Sequence, residues 1–220
     1  MKVALLGATG LIGSAVLPQA IASGHEVRAL VRTAGSLVPV PGCSVVVGDA
    51  RDLRAVSEVV AGADVVISAI GPRANTPDAV ALLELAARNV VTAMGANGAS
   101  RLVFVAGAGI ALAGERRSFV QRVAGFVVRR LAKWVVLSKE REMEIYLASA
   151  LKWTAMRPTR VIAGPATGLM RLGDRPVGFR VTSGDVAQAI LSVVADPAAE
   201  GTAPFVSSGA SANSRLGRGT

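Results

Sequence analysis

The chain is poor in the residues that build disulfides, metal sites and stacking surfaces. Its 220 residues include one cysteine and one histidine, and aromatic residues make up only 4% of it. The lone thiol of Cys43 cannot form an intrachain disulfide and has no second thiol with which to hold a metal. We therefore expect a small core residue, no metal site and a reducing compartment. So few aromatic residues also argue against a stacking surface for single-stranded nucleic acid.

Long hydrophobic runs are missing too, although 51% of the residues are hydrophobic. Gly, Arg, Asp or Ser interrupts the apolar runs every few residues, so none reaches the roughly 20 apolar residues of a spanning helix. The chain passes from Met1 straight into a strand-like stretch, without the apolar region or cleavage site of a signal peptide. We expect a cytoplasmic protein of one domain with no integral membrane segment.

Basic residues are in excess, and the formal net charge is +9. Most of that excess lies in residues 116–141, where eight basic side chains are offset by Glu140 alone, and in the last ten residues. A nucleic-acid-binding protein usually spreads its basic residues over a wide surface. We therefore expect no nucleic acid among the partners.

Residues 117–137 have the pattern of an amphipathic helix. Helical spacing puts one set of side chains on an apolar side and another on a basic side. The apolar set is Phe119, Val120, Val123, Val127, Leu131 and Trp134, and the basic set is Arg122, Arg129 and Lys133. Three roles are open: packing on the sheet or on the second subunit of a homodimer, a lid over a hydrophobic or anionic substrate, and contact with a membrane surface.

Short β-rich apolar runs alternate with longer helical ones along the chain, which indicates parallel strands joined by crossover helices. The predicted strands are 2–6, 26–31, 44–47, 64–69, 101–106, 153–157 and 204–207, and the predicted helices are 11–23, 52–61, 76–95, 117–149 and 184–195. Thr76 and Ser183 are the predicted caps of two of these helices. Glycines and prolines predict a loop with at most one short strand over 163–180. Residues 208–220 are expected to be a flexible tail.

A glycine-rich turn follows the first strand and precedes the first helix. It consists of Gly7, Ala8, Thr9, Gly10, Leu11, Ile12 and Gly13. Glycine lets the backbone turn tightly and approach a pyrophosphate without a Cβ in the way. The helix N-terminus that follows offers N–H groups and partial positive charge to an anion. The turn is therefore a predicted dinucleotide-binding loop.

The end of the second strand is where the two nicotinamide cofactors are told apart. An acidic residue there would bind the adenine ribose hydroxyls, whereas an arginine would bind a 2′-phosphate. This chain has Arg32 and Thr33 at that point, so NADP is favoured over NAD. Asp49 and Ala50 follow the third strand, where the carboxylate could accept from the adenine amino group or cap the next turn.

With these stretches in order, the chain resembles the atypical short-chain dehydrogenases/reductases, particularly their NmrA-like and biliverdin/flavin-reductase-like members. The resemblance rests on 7–13, 27–32, 48–52, 64–71, 153–158 and 183–187 and covers about residues 1–207. It implies a single Rossmann-like α/β domain, a doubly wound parallel sheet flanked by helices that binds NADP(H) across the carboxyl ends of the strands.

The resemblance also implies further site residues. Ala69, Ile70 and Gly71, Ala106 and Pro158 are expected to contact the cofactor, and residues 107–139 and 158–182 are expected to form the substrate pocket.

Typical members of the group place a serine after the fifth strand and a Tyr-x-x-x-Lys pair on the following helix. Here the strand exit has no hydroxyl, Val135 stands at the tyrosine position and Lys139 at the lysine position. Tyr146 is no substitute, because Ala150 follows it four residues later. Either Lys139 is itself the acid and a cofactor ligand, or the protein aligns donor and acceptor while solvent supplies the proton. A third alternative is that Lys139 is a solvated helix residue without a role in the site.

The expected activity is reduction of a small carbonyl, quinone-like or conjugated substrate by hydride transfer from NADP(H). Two alternatives stay open on the same fold. The chain could be a regulator that senses NADP without turnover, or a cyclase or isomerase that uses the cleft for acid–base chemistry.

Overall fold

The computed structural model describes residues 1–110, 115, 125 and 128–208. Within this described part, there are ten strands and five α-helices, which follow one another regularly up to residue 158 and less regularly beyond it. The strands are β1 (Lys2–Leu6), β2 (Glu26–Val31), β3 (Cys43–Val47), β4 (Val65–Ser68), β5 (Arg101–Val105), β6 (Lys152–Pro158), β7 (Arg160–Ile162), β8 (Met170–Gly173), β9 (Arg180–Thr182) and β10 (Phe205–Ser208). The helices are α1 (Gly13–Ala22), α2 (Leu53–Val60), α3 (Asp78–Ala96), α4 (Lys133–Leu147) and α5 (Ser183–Val193).

Eight strands form one sheet in the order β3-β2-β1-β4-β5-β6-β10-β8. All neighbours in it are parallel except β8, which runs antiparallel to β10. Val3 of β1 lies between Val27 of β2 and Val65 of β4, so the strand order reverses beside β1. In open parallel sheets, ligands bind at such a reversal, outside the carboxyl ends of the strands. The fold prediction of a doubly wound Rossmann-like sheet is confirmed.

Helices cover both faces of the sheet. One core contains Val3, Leu5 and Val65 with α1 and α5, and the other contains Ala4, Leu6 and Val66 with α2, α3 and α4. Because both faces are covered, β4 and β5 are buried at every position, and residues 65–67 and 102–105 within them are all apolar.

Two arginines secure the sheet on the side away from the carboxyl ends. Buried Arg101, the first residue of β5, donates to the carbonyls of Val193 and Val194 at the end of α5 and to the carbonyl of Lys152. Arg28 of β2 donates to the carbonyls of Glu58 and Ala61 at the end of α2. Both guanidinium groups thereby supply donors to last-turn carbonyls that have no partner within the helix.

Several predicted details are wrong. Pro77, not Thr76, precedes α3, and no side chain caps that helix. Thr182, not Ser183, caps α5, since its hydroxyl accepts from the Asp185 amide. The prediction of a loop with at most one short strand over 163–180 agrees with the structure, in which β8 is the one complete strand of that range, between β7 and β9. Ser208, predicted to belong to the tail, is the last residue of β10, whereas 209–220 lie outside the described residues.

The predicted helix over 117–149 is not one continuous register. Residues 128–131 are helical, but Ala132 has φ −130° and ψ 46°, and α4 starts afresh at Lys133. Leu131, predicted on the apolar side, is 76% exposed. The predicted positions Phe119, Val120, Arg122, Val123 and Val127 lie outside the described residues.

One described helix, α3, is long and apolar enough to cross a membrane by length and composition alone. In the fold, its apolar side faces the core through Leu83, Val90 and Met94, between α2 and α4. Its outer side carries the Glu84–Arg88 ion pair. This packing is that of a core helix.

Candidate active site at the carboxyl ends of the strands

A cleft of about 530 Å³ lies at the carboxyl ends of β1 to β4. The loops after β1 and β4 and the first turns of α3 form its walls. Eleven predicted site residues line it: Gly7, Thr9, Gly10, Leu11, Ile12, Arg32, Asp49, Ala50, Ala69, Ile70 and Gly71. Gly13, Ala106, Pro158 and Lys139 are not among its lining residues. The structure therefore brings eleven of the predicted site residues together at one cleft, and the roles of all of them stay predictions.

The three glycines of the loop have different packing environments. Gly7 has φ +83°, and a Cβ there would lie 2.7 Å from the Ala69 backbone. A Cβ on Gly13 would lie 2.1 Å from the Gly7 carbonyl oxygen, so its glycine lets α1 approach the end of β1. A Cβ on Gly10 would meet only the same oxygen, at 3.2 Å, and the Ala69 oxygen, at 3.9 Å. Gly10 is thus the glycine whose substitution changes the cleft more than the fold.

Backbone donors are left free along this loop. Gly10 N–H donates to the Gly7 carbonyl, which closes the turn. Within the described part of the chain, the N–H groups of Thr9, Leu11 and Ile12 have no acceptor, and all three residues line the cleft. Unpaired amides beside a helix N-terminus form an anion-binding arrangement. A pyrophosphate fits this cradle, because the glycine leaves room for it and the amides can donate to it.

A second recess of about 280 Å³ adjoins the cleft. Thr9, Arg32, Thr33, Ser36 and Arg73 line it. Both arginines are exposed, and neither has a hydrogen-bond or ion-pair partner among the residues that the structure describes. Two unpaired guanidinium groups beside three hydroxyls form a recess suited to a phosphate dianion.

Asp49 lies at the exit of β3 and both lines the cleft and shapes the turn. Its carboxylate accepts from the amide and the guanidinium of Arg51, each at 2.9 Å. The hydrogen bond from the Arg51 side chain holds the pKa of Asp49 below its usual value. Both predicted roles of Asp49, accepting from the adenine amino group and capping the next turn, are compatible with this position, since the carboxylate remains partly exposed at the cleft.

Lys139 does not occupy the predicted place in the cleft. Its side chain is buried, and the ammonium donates to the carbonyls of Ile70 (2.5 Å) and Val105 (2.8 Å) and to Glu142 Oε2 (2.7 Å). An ammonium has three N–H donors, and these three acceptors use all of them. With its donors engaged in this way, the role of Lys139 as the acid at the reacting centre stays a prediction. Burial raises the pKa of Glu142, against the opposing effect of Lys139.

Tyr146 lies in the core and does not line the cleft. It is fully buried against Phe104, with ring centroids 4.7 Å apart. Burial, and secondarily the charge of Glu142, raises its pKa well above the usual value, and the Ser68 hydroxyl opposes this. The two hydroxyls face each other without reaching regular hydrogen-bond geometry. The interpretation that Tyr146 cannot replace the missing tyrosine agrees with this placement.

The sequence analysis missed two residues of the loop between β4 and α3 that help to form the site. Arg73 completes the recess opposite Arg32, and Asn75 caps α4: its Oδ1 accepts from the amides of Trp134 and Val135, while its Nδ2 donates to the Leu131 carbonyl. Arg73 follows Gly71 and Pro72 directly, so a cation immediately after a predicted cofactor-binding stretch was the available signal. Nothing in the local sequence indicates the contact of Asn75, because it spans nearly 60 residues.

Comparisons with known proteins found similar chains and a matching family. An uncharacterised protein of Saccharomyces cerevisiae is 39% identical over 71 residues, a match that covers 30% of this chain and only 24% of the yeast protein. Three solved structures have the same fold. The anaerobilin reductase ChuY of Escherichia coli O157:H7 has a TM-score of 0.75 at 24% identity, over 94% of this chain and 97% of that one.

The oxidoreductase YlbE of Lactococcus lactis has a TM-score of 0.79 at 18% identity, over 95% of this chain and 91% of that one. A short-chain dehydrogenase/reductase of Veillonella parvula has a TM-score of 0.74 at 18% identity, over 94% of each chain. A sequence profile described as NAD(P)H-binding matches residues 7–197. Because this profile spans most of the chain, the chain belongs to the NAD(P)H-binding family, and it shares the fold of the three solved structures above.

Proposed function

We propose that this protein is an oxidoreductase that uses NADP(H) to reduce a small carbonyl, quinone-like or conjugated substrate. The observation that carries the choice of cofactor is the recess between Arg32 and Arg73. Two exposed arginines without described partners, beside a dinucleotide cleft, have guanidinium donors available to an anion. The 2′-phosphate distinguishes NADP(H) from NAD(H), and it is an anion of the right kind for this recess.

The chain's own residues bind and orient the cofactor. The free amides of Thr9, Leu11 and Ile12 would hold the pyrophosphate, and Arg32 with Arg73 would hold the 2′-phosphate. The nicotinamide supplies a hydride when bound. Since Lys139 is fully engaged elsewhere, we favour the mechanism in which the protein aligns donor and acceptor and solvent delivers the proton.

A regulator that senses NADP without turnover is the second candidate. It is favoured by the engagement of Lys139 with two carbonyls and Glu142, which leaves no lysine at the predicted reacting centre. Mixing the protein with NADPH and a panel of quinones and flavins, while following NADPH absorbance, separates the two. Tight NADPH binding without oxidation by any member of the panel would favour the regulator.

The cofactor assignment is tested by titrating NADPH and NADH against the wild type, Arg32→Ala and Arg73→Ala. Loss of one charged hydrogen-bond partner costs about 1.5–3 kcal/mol, or roughly 10- to 150-fold in affinity. We expect that loss for NADPH in each variant and little change for NADH. Arg54→Ala is the matched control, because Arg54 is exposed on α2 and lines neither recess. Equal affinities of the wild type for both cofactors would overturn the assignment.

A further inference from the structure

The buried ion pair of Lys139 and Glu142 has no role in the proposed chemistry. Both side chains are almost completely buried, 9% and 2% exposed, and their charged atoms are 2.7 Å apart. Removing two charges from water is costly, and an apolar pair of similar volume is often as stable or more so. Stability alone is therefore a weak explanation for the pair.

The partners of the ammonium indicate another role. Ile70 and Val105 lie at the carboxyl ends of β4 and β5, which are neighbours in the sheet. Ile70 also lines the cleft, between Ala69 and Gly71. A single charged group on α4 thus holds the exits of two adjacent strands, one of which is part of the cofactor cleft.

A second contact joins α4 to the same loop. Asn75 caps the first turn of α4, and its neighbours Ala74 and Thr76 line the cleft. The loop after β4 is therefore fixed to α4 at Ile70, through Lys139, and again at Asn75. Because of these two contacts, the position of this wall of the cleft depends on the position of α4.

We propose that Lys139 is a positioning residue for the cofactor: its ammonium fixes the segment Ala69–Gly71 in the shape that the dinucleotide requires, and Glu142 supplies the buried countercharge. This inference rests on the proposed function, because it concerns the same cleft. It replaces a role in proton transfer with one in shaping the wall of the site.

The test uses the double variant Lys139→Met/Glu142→Leu. Removing both charges leaves no unpaired buried ion, so we expect the protein to stay folded, with a melting temperature close to that of the wild type. The carbonyls of Ile70 and Val105 lose their charged donor, and we expect NADPH affinity to fall by about 10-fold or more. Lys152→Met is the control, since Lys152 forms an exposed ion pair with Glu200.

Glu142→Gln gives a second measurement. The amide oxygen can still accept from Lys139, which keeps both carbonyls, so we expect NADPH affinity to stay within about threefold of the wild type. NADPH binding is measured by titration well below the melting temperature, so that global unfolding does not enter. A folded double variant that binds NADPH as tightly as the wild type would overturn the positioning role while leaving the proposed function intact. A wild type that fails to bind NADPH would overturn both.

Discussion

Alanine substitutions at Gly10 and at Gly13 should have different effects: the first should weaken cofactor binding, and the second should lower the stability of the fold. The two glycines are three residues apart, and neither has a positive φ, so alanine is compatible with the backbone at both. Their surroundings differ. The Cβ of Gly13→Ala would lie 2.1 Å from a backbone oxygen, whereas that of Gly10→Ala would lie 3.2 Å from it and otherwise face the cleft.

These distances set the expected magnitudes. At Gly13, backbone must move, and we expect the upper end of the overpacking cost, about 3 kcal/mol. For a chain of this size that cost lowers the melting temperature by about 6–12 °C. At Gly10 a shift of a few tenths of an ångström suffices, so we expect less than about 1 kcal/mol and less than about 4 °C. The Gly10 methyl group instead obstructs approach to the free amides, and we expect NADPH affinity to fall by roughly 10- to 150-fold.

Thermal unfolding and NADPH titration on the same preparations test both expectations. Gly95→Ala is the control, because Gly95 lies in helix α3 with no atom within 4 Å of the added Cβ; that variant should bind normally and melt no lower than the wild type. A folded Gly10→Ala that binds NADPH normally would show that the loop is only a turn. An unchanged melting temperature for Gly13→Ala would refute the packing reasoning.

Two further predictions concern the edges of the site. Asn75→Ala removes the cap of α4 and should cost about 0.5–2 kcal/mol of stability, measured by chemical unfolding; Asn75→Asp keeps the acceptor for Trp134 and Val135 and should lose less. The pKa of Asp49 is lower in the folded protein than in the unfolded chain because Arg51 donates to it, so its contribution to stability is complete above about pH 4 and is lost as pH falls below that value. The difference in melting temperature between the wild type and Arg51→Met should therefore shrink from pH 6 to pH 3. A constant difference would show that the Asp49–Arg51 ion pair does not stabilise the fold.

The fold up to β6 could be predicted because its signals are local. Buried parallel strands read as apolar runs, and glycine-rich turns mark where β1 and β4 end. The short strands β7, β8 and β9 could not be found in the same way. Each has three or four residues, too few to establish a pattern in the sequence, and its partner strand lies about 20 or more residues away along the chain.

Arg32 and Gly10 could be placed at the cleft from the sequence, because a charged side chain and a missing Cβ are visible there. The surroundings of Lys139 could not be predicted, because backbone carbonyls determine them. Helical spacing placed Lys139 correctly on α4, but its acceptors are the main-chain oxygens of Ile70 and Val105, which any residue types would supply. No residue pattern could therefore show that the ammonium is already engaged.

The guanidinium groups of Arg101 and Arg28 have a consequence for the tolerance of this protein to sequence change. They are committed to helix-end carbonyls at one side of the sheet, whereas Arg32 and Arg73 at the other side have no described partner. Substitutions of the first pair should therefore reduce the amount of folded protein in a cell, and substitutions of the second should leave abundance unchanged while altering cofactor use. The two sides of one sheet can thus diverge independently, which lets cofactor preference change without loss of the scaffold.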